Sequence, residues 1–181
     1  MRPGQIFLDF NSASPDTKRK IADLERPDGV RVCDVAVMGP VPLNGSRVPL
    51  LITGEGKREF FQEMTQYGMR IECLDANVGG ASAVKMIRSV FMKGFPQVML
   101  ECLLAAERYG VTEKMLDSLE ETIGGKSVRQ MADQLFIPTV IHASRRASEM
   151  KEVIQMLESI GMDPFMSEAT YRRLTKLASL H

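Results

Sequence analysis

At 181 residues the chain can hold one good core or two small ones, and 44% hydrophobic with 25% charged residues is the composition of an ordinary globular protein. Twenty-three basic residues balance 23 acidic ones with no basic run, which argues against nucleic acid as a partner. Cys33, Cys73 and Cys102 are scattered and form no C-x-x-C pair, so a disulfide framework and a zinc site are both disfavoured. The N-terminus has no signal-peptide pattern and no apolar segment reads as long enough to span a membrane, so a cytoplasmic protein is expected.

Ile6 to Phe10 reads as a strand; its lack of alternation predicts burial on both faces, as in a parallel sheet. Ser14 and Pro15 form a cap and first-turn pair for a polar helix over Asp16 to Glu25. Val30 to Val37 is a second strand, and the glycine and prolines of Met38 to Pro42 predict an open loop. Val48 to Thr53 is a third strand, Lys57 to about Tyr67 a helix and Arg70 to Leu74 a fourth strand.

A Gly-Gly turn at Gly79 and Gly80 then opens a helix of roughly eight turns reaching Arg108. Its apolar positions Val84, Ile87, Phe91, Phe95, Val98, Cys102 and Ala105 recur at three-and-four spacing, which predicts one continuous buried stripe and a core helix. Helices follow over Thr112 to Thr122, Val128 to Gln134, Thr139 to Ile160 and Ser167 to Leu180, with Pro138 and Gly161 as boundaries.

Two glycine patterns suggest phosphate sites and fall short. Gly54-x-Gly56 lies between a strand and a helix, but Glu59 holds the third glycine position of a dinucleotide turn. Gly125-Lys126-Ser127 resembles the end of a P-loop, but Glu120 stands where the first glycine is needed and no strand precedes it. His142, Arg145, Arg146 and Glu149 form a polar stripe that reads first as a solvated helix face. Lys85 is the one lysine among Ala81, Ala83, Val84 and Met86. It can snorkel to water, or, if buried near Arg88, serve as an acid or base.

Four stretches, in order, resemble the β-hydroxyacid dehydrogenases related to 6-phosphogluconate dehydrogenase. Asp9-Phe10-Asn11-Ser12-Ala13-Ser14-Pro15 is similar to that family's D-x-S-T-x-x-P segment, and Asp34 to Pro40 to its D-A-P-V-S-G-G loop. Gly79 to Ser89 is similar to G-x-G-x-x-x-K-x-x-x-N, and Leu51 to Gly54 follows the same layout. A subgroup whose C-terminal domain has no assigned function resembles the chain further in N-S-x-S-P, G-P-x-P, G-A-S-A-x-K-M and the run from His142 to Met150.

The resemblance implies a partial Rossmann-like α/β domain over residues 1–78, followed by an all-α domain like the C-terminal domain of 6-phosphogluconate dehydrogenase over 79–181. It implies Lys85 as the catalytic proton donor or acceptor and Asn11 and Ser12 at the nicotinamide and substrate. It further implies Met38, Gly39 and Ser89 at substrate positions. The expected cofactor is NADP or NAD, the partners a small hydroxy acid or related carbonyl substrate and a second copy bound through the helical domain, with no nucleic acid and no membrane.

Met38, Pro40 and Ser89 replace the family's serine, last glycine and asparagine. Arg145, Arg146 or His142 are therefore candidates for a substitute anion site, guanidinium groups being suited to carboxylates. The family's G-x-G-x-x-G turn is not found in these 181 residues. The expectation is thus a C-terminal portion of an oxidoreductase lacking its cofactor half; the rival expectation is a truncated, catalytically silent dimerisation or interaction module.

Overall fold

The computed structural model describes residues 1–180. The chain forms two compact units, Met1–Met92 and Lys93–His181. The first is α/β and the second all-α, the fold class expected from the sequence. The division falls inside the long helix, in the turn where Pro96 cannot donate to the Met92 carbonyl.

In the first unit the order is β1 (Ile6–Asp9), α1 (Pro15–Ala22), β2 (Arg31–Val37), α2 (Val41–Asn44), β3 (Leu50–Gly54), α3 (Lys57–Thr65), β4 (Ile71–Cys73) and the start of α4 (Gly80–Tyr109). The strands lie side by side in sequence order, with β1 parallel to β2, β2 antiparallel to β3 and β3 parallel to β4. One face buries Cys33, Val35, Leu50 and Ile52 against Phe60 of α3. The other buries Ala36 and Leu51 against Ala81 in the first turn of α4. Burial on both faces holds for β2 and β3 but not for β1, a terminal strand whose Phe7 is 39% exposed.

The loop expected over Met38 to Pro42 instead leads into a short helix, because Pro40 stands at its N-cap and Pro42 in its first turn, where a missing N–H costs nothing. Gly54 is fixed by packing: its φ is +111°, and an added Cβ would sit 2.2 Å from the Val32 carbonyl oxygen across the β2–β3 ladder. An added Cβ at Gly56 would meet the Ile6 side chain at 2.7 Å. These glycines serve close strand packing, which accounts for the failed dinucleotide pattern.

The second unit continues α4 into α5 (Thr112–Ile123), α6 (Val128–Ile141), α7 (Ala143–Ser159) and α8 (Phe165–Ala178). Ser127, the residue of the failed P-loop pattern, caps α6 in a reciprocal pair with Gln130. Pro138 does not start a helix as expected but sits inside α6, and the break comes at His142. Ala105, Leu157 and Met162 form a small core, and the Glu101 carboxylate accepts from the Met166 and Ser167 N–H groups, holding the start of α8.

The stripe on α4 is where the sequence reading fails. Val84 is 39% exposed, Ile87 71%, and Phe91, Phe95 and Val98 lie between these values; of the seven positions only Ala105 is buried. Apolar periodicity reports a face that seeks cover, and within one chain only the two ends of α4 obtain it, through Ala81 and through Ala105 and Ala106. The expectation that no segment reaches membrane-span length also needs correction. By length and composition α4 is long and apolar enough to cross a membrane, with a mean hydropathy of 1.2 and 11% of that window buried.

Candidate functional site

The site forms where β1, β2 and the first turn of α4 meet. Asp9 and Asp34 are register partners on adjacent parallel strands, and Thr53 on β3 is the next in the row. All three are buried, so two carboxylates stand side by side shielded from bulk solvent. Lys18 of α1 supplies the counter-charge. Its side chain is 1% exposed, its Nζ donates to the Asp9 backbone oxygen at 2.8 Å, and it lies 3.0 Å from Asp9 Oδ2 and 3.5 Å from Asp34 Oδ1.

Each aspartate then holds one more segment. Asp9 Oδ1 accepts from the backbone N–H of Asn11 at 2.9 Å and from its Nδ2 at 2.8 Å, closing the turn that follows β1. Asp34 accepts from Ser82, Oδ2 from the backbone N–H at 2.8 Å and Oδ1 from Oγ at 2.6 Å, pinning the first turn of α4. Burial alone pushes the Asp9 carboxyl up, but the Asn11 N–H, the Lys18 ammonium and the Asn11 amide outweigh it and hold the group below its usual value.

The Gly-Gly turn sets the distance between these pieces. Gly79 has φ of +95°, and an added Cβ would sit 2.8 Å from the Pro15 carbonyl oxygen, so only glycine lets the turn lie this close to the start of α1. One turn after Ser82, Lys85 emerges beside that loop, and its Nζ donates to Ser12 Oγ at 2.9 Å. Two stretches 73 residues apart in sequence thus meet through one lysine and one serine.

The other sequence candidates divide. Ser89 donates from Oγ to the Lys85 carbonyl oxygen at 3.0 Å, one turn further along α4. Met38 packs with Ala36, Leu51 and Ala81 beneath α4, its N–H donating to the Pro49 carbonyl, and Gly39 follows it half-buried. His142, Arg145 and Arg146 belong to the second unit. His142 is exposed at the α6–α7 break, Arg145 pairs with Glu149 on the helix surface, and Arg146 donates to Thr139 Oγ1 at 2.9 Å.

Sequence reasoning gave no role to Lys18, Asp34 or Ser82. A signal was present: Lys18 stands three and four residues before Ile21 and Ala22, on the apolar side of an otherwise polar helix. A cavity of about 760 Å³ beside α1 does not include Lys85, and its cations are already engaged: Arg19 with Asp16, Arg26 and Lys57 with backbone carbonyls.

Nicotinamide presents a carboxamide whose N–H groups need an acceptor. Asn11 Nδ2 is committed to Asp9 while Oδ1 accepts from no described residue and the side chain is exposed, so this end of the site fits that group. No comparable phosphate cradle is seen among the described residues, since Gly54 and Gly56 are taken up by packing.

Comparison with known proteins agrees with this layout. Residues 106–177 match the domain of unknown function DUF1932. A conserved hypothetical protein from Sinorhizobium meliloti is 38% identical, with a TM-score of 0.60 over 94% of this chain and 57% of that one. Conserved protein MTH1747, described as structurally similar to 3-hydroxyacid dehydrogenases, is 36% identical, with a TM-score of 0.62 over 96% of this chain and 66% of its own. Over nearly its whole length the chain thus resembles a protein described as structurally similar to 3-hydroxyacid dehydrogenases, and part of it matches DUF1932. That similarity supports a relation to the NAD(P)-dependent oxidoreductases. An imine reductase from Myxococcus stipitatus in complex with NADP+ shares the fold at 16% identity, with a TM-score of 0.74 over 98% of this chain and 66% of that one. The dehydrogenase-like chain spans roughly three fifths to two thirds of the length of these relatives.

Proposed function

We propose that this chain carries the nicotinamide and proton-transfer side of an NAD(P)-dependent oxidoreductase acting on a small hydroxy acid or related carbonyl compound. The observation that supports it is the solvent-accessible Lys85 Nζ to Ser12 Oγ contact, because it joins the lysine ammonium to the segment where a nicotinamide ring and a substrate would lie.

When bound, NADP or NAD supplies or accepts the hydride. The chain's own residues do the rest. Asn11 offers Oδ1 to the carboxamide, and Asp9 fixes the rotamer that turns it outward. Lys85, held by Ser12, places a proton at the substrate oxygen: as an ammonium it polarises a carbonyl and neutralises the forming alkoxide, and in reverse it accepts the alcohol proton. Ser89 steadies the Lys85 backbone. Met38 and Gly39 bound the substrate side with apolar surface where a serine would bind a carboxylate. The protein acts in the cytoplasm, on a soluble substrate.

A second reading is supported by the exposed face of α4: Ile87 and Val90 are 71% and 77% exposed in the single chain, and a second copy packed along that helix would cover them. On that reading the chain serves as a dimerisation module without turnover.

Fluorescence titration with NADPH and NADH separates the two. The oxidoreductase reading expects saturable binding that Lys85→Ala leaves intact, while turnover of the substrate found by screening falls by about 10²–10⁴ in the variant. No saturation with either cofactor favours the silent module.

A further inference from the structure

Resting on the oxidoreductase reading of this site, we infer that Lys18 is a positioning residue: from its buried place between Asp9 and Asp34 it locks the Asn11–Ser12 turn and the first turn of α4 in the arrangement that brings Ser12 to Lys85.

The contacts close into a ring. Lys85 donates to Ser12, and the adjacent Asn11 is held twice by Asp9. Lys18 donates to the Asp9 backbone oxygen and lies between the Asp9 and Asp34 carboxylates. Asp34 takes both the N–H and the hydroxyl of Ser82, and one helical turn leads from Ser82 back to Lys85. Lys18 is the one member whose side chain reaches a carboxylate on each of the two strands, and at 1% accessible it is too buried to meet a ligand itself.

Stability alone is a poor explanation for this cluster. A buried ionic group is often matched or exceeded by apolar side chains of the same volume, whereas directional donors and acceptors specify a single arrangement. Here every direction so specified belongs to a segment that carries a site residue. A methionine at position 18 would fill the space of the lysine stem, but the side-chain link between the Asp9 and Asp34 carboxylates would be lost and only the backbone ladder would join the end of β1 to the strand that anchors α4.

The test is amide hydrogen exchange by NMR on the 181-residue chain, for Lys18→Met and for the charge-balanced double variant Lys18→Met with Asp34→Asn. Neither cofactor nor substrate is needed, so the ring is read whether or not Lys85 transfers a proton; a failed titration with NADPH would overturn the functional reading and leave this result standing. The expected result is exchange accelerated at Asn11 and Ser82 at least tenfold more than at Ile52, with Leu157 of the second unit within twofold of wild type. In addition, the Lys85 Cε resonance should move toward its position in Ser12→Ala, where the contact is removed directly. Uniform acceleration across the chain, or failure of both variants to fold, would make Lys18 a stability residue only and overturn the inference. Unchanged Asn11 and Ser82 protection, or an unmoved Lys85 resonance, would also overturn it.

Discussion

The two units use polar and apolar residues in opposite ways. In the first, Asp9, Lys18, Asp34 and Ser82 are buried and answer one another's charges and hydrogen bonds, while Val35 and Ile52 fill an ordinary core. In the second, Arg145, Glu149, Glu168 and Arg172 pair on helix surfaces, while Phe136, Ile137 and Ile141 are 63% to 73% exposed. Buried polar groups with directional partners mark the place where geometry is specified, although Thr53 Oγ1 in the same row has no hydrogen-bond partner among the described residues; exposed apolar faces are the places proposed for a partner. On the proposed reading, chemistry is assigned to the sheet unit and association to exposed helix faces.

The sharpest way to break this contrast is to remove one ion from each unit. Lys18→Met leaves two neighbouring buried carboxylates without a counter-ion and should cost about 3–5 kcal/mol in urea denaturation. Arg145→Ala removes a solvated pair one helical turn apart and should change stability by less than about 0.5 kcal/mol. Equal effects would mean that the two units do not differ in this way.

Next in size is association. Ile87→Asp with Val90→Asp puts charge on the exposed α4 face and should weaken any self-association at least tenfold in sedimentation equilibrium, about 1.4 kcal/mol. Far-ultraviolet circular dichroism should stay unchanged, because neither side chain is in the core. An unaltered dimer would remove this face from the interface.

The smallest effect is a slope. Asp9 is held below its usual carboxylate value, so its stabilisation is complete above the unfolded value and is lost as pH falls through the folded one. The wild-type denaturation midpoint should therefore decline below about pH 5, and Asp9→Asn should flatten that decline. A slope identical in the variant would assign the acid sensitivity to other carboxylates.

Much of this was legible in the sequence because it depends on local chemistry. Ser14 and Pro15 announced α1, the Gly-Gly turn announced α4, and Asn11, Ser12 and Lys85 were marked by the family's motifs. What was not legible depends on partners distant in sequence. The α4 stripe has the period of a core helix, and only the fold shows that its middle lies open. Lys18 reads as one more charge in PDTKRKIA, and its meaning appears only when Asp9 and Asp34 become register partners across β1 and β2. Pro138 is a helix breaker by rule, yet α6 runs through it to Ile141.

The central claim, that the turn after β1 and the first turns of α4 receive a nicotinamide, is tested most directly with nicotinamide mononucleotide, which carries that ring without the adenine half. A titration followed by NMR should shift Asn11, Ser12 and Lys85 together and saturably, with the Asn11 and Ser12 shifts lost in Asn11→Ala. Shifts confined to other regions, or none at millimolar ligand, would contradict the account.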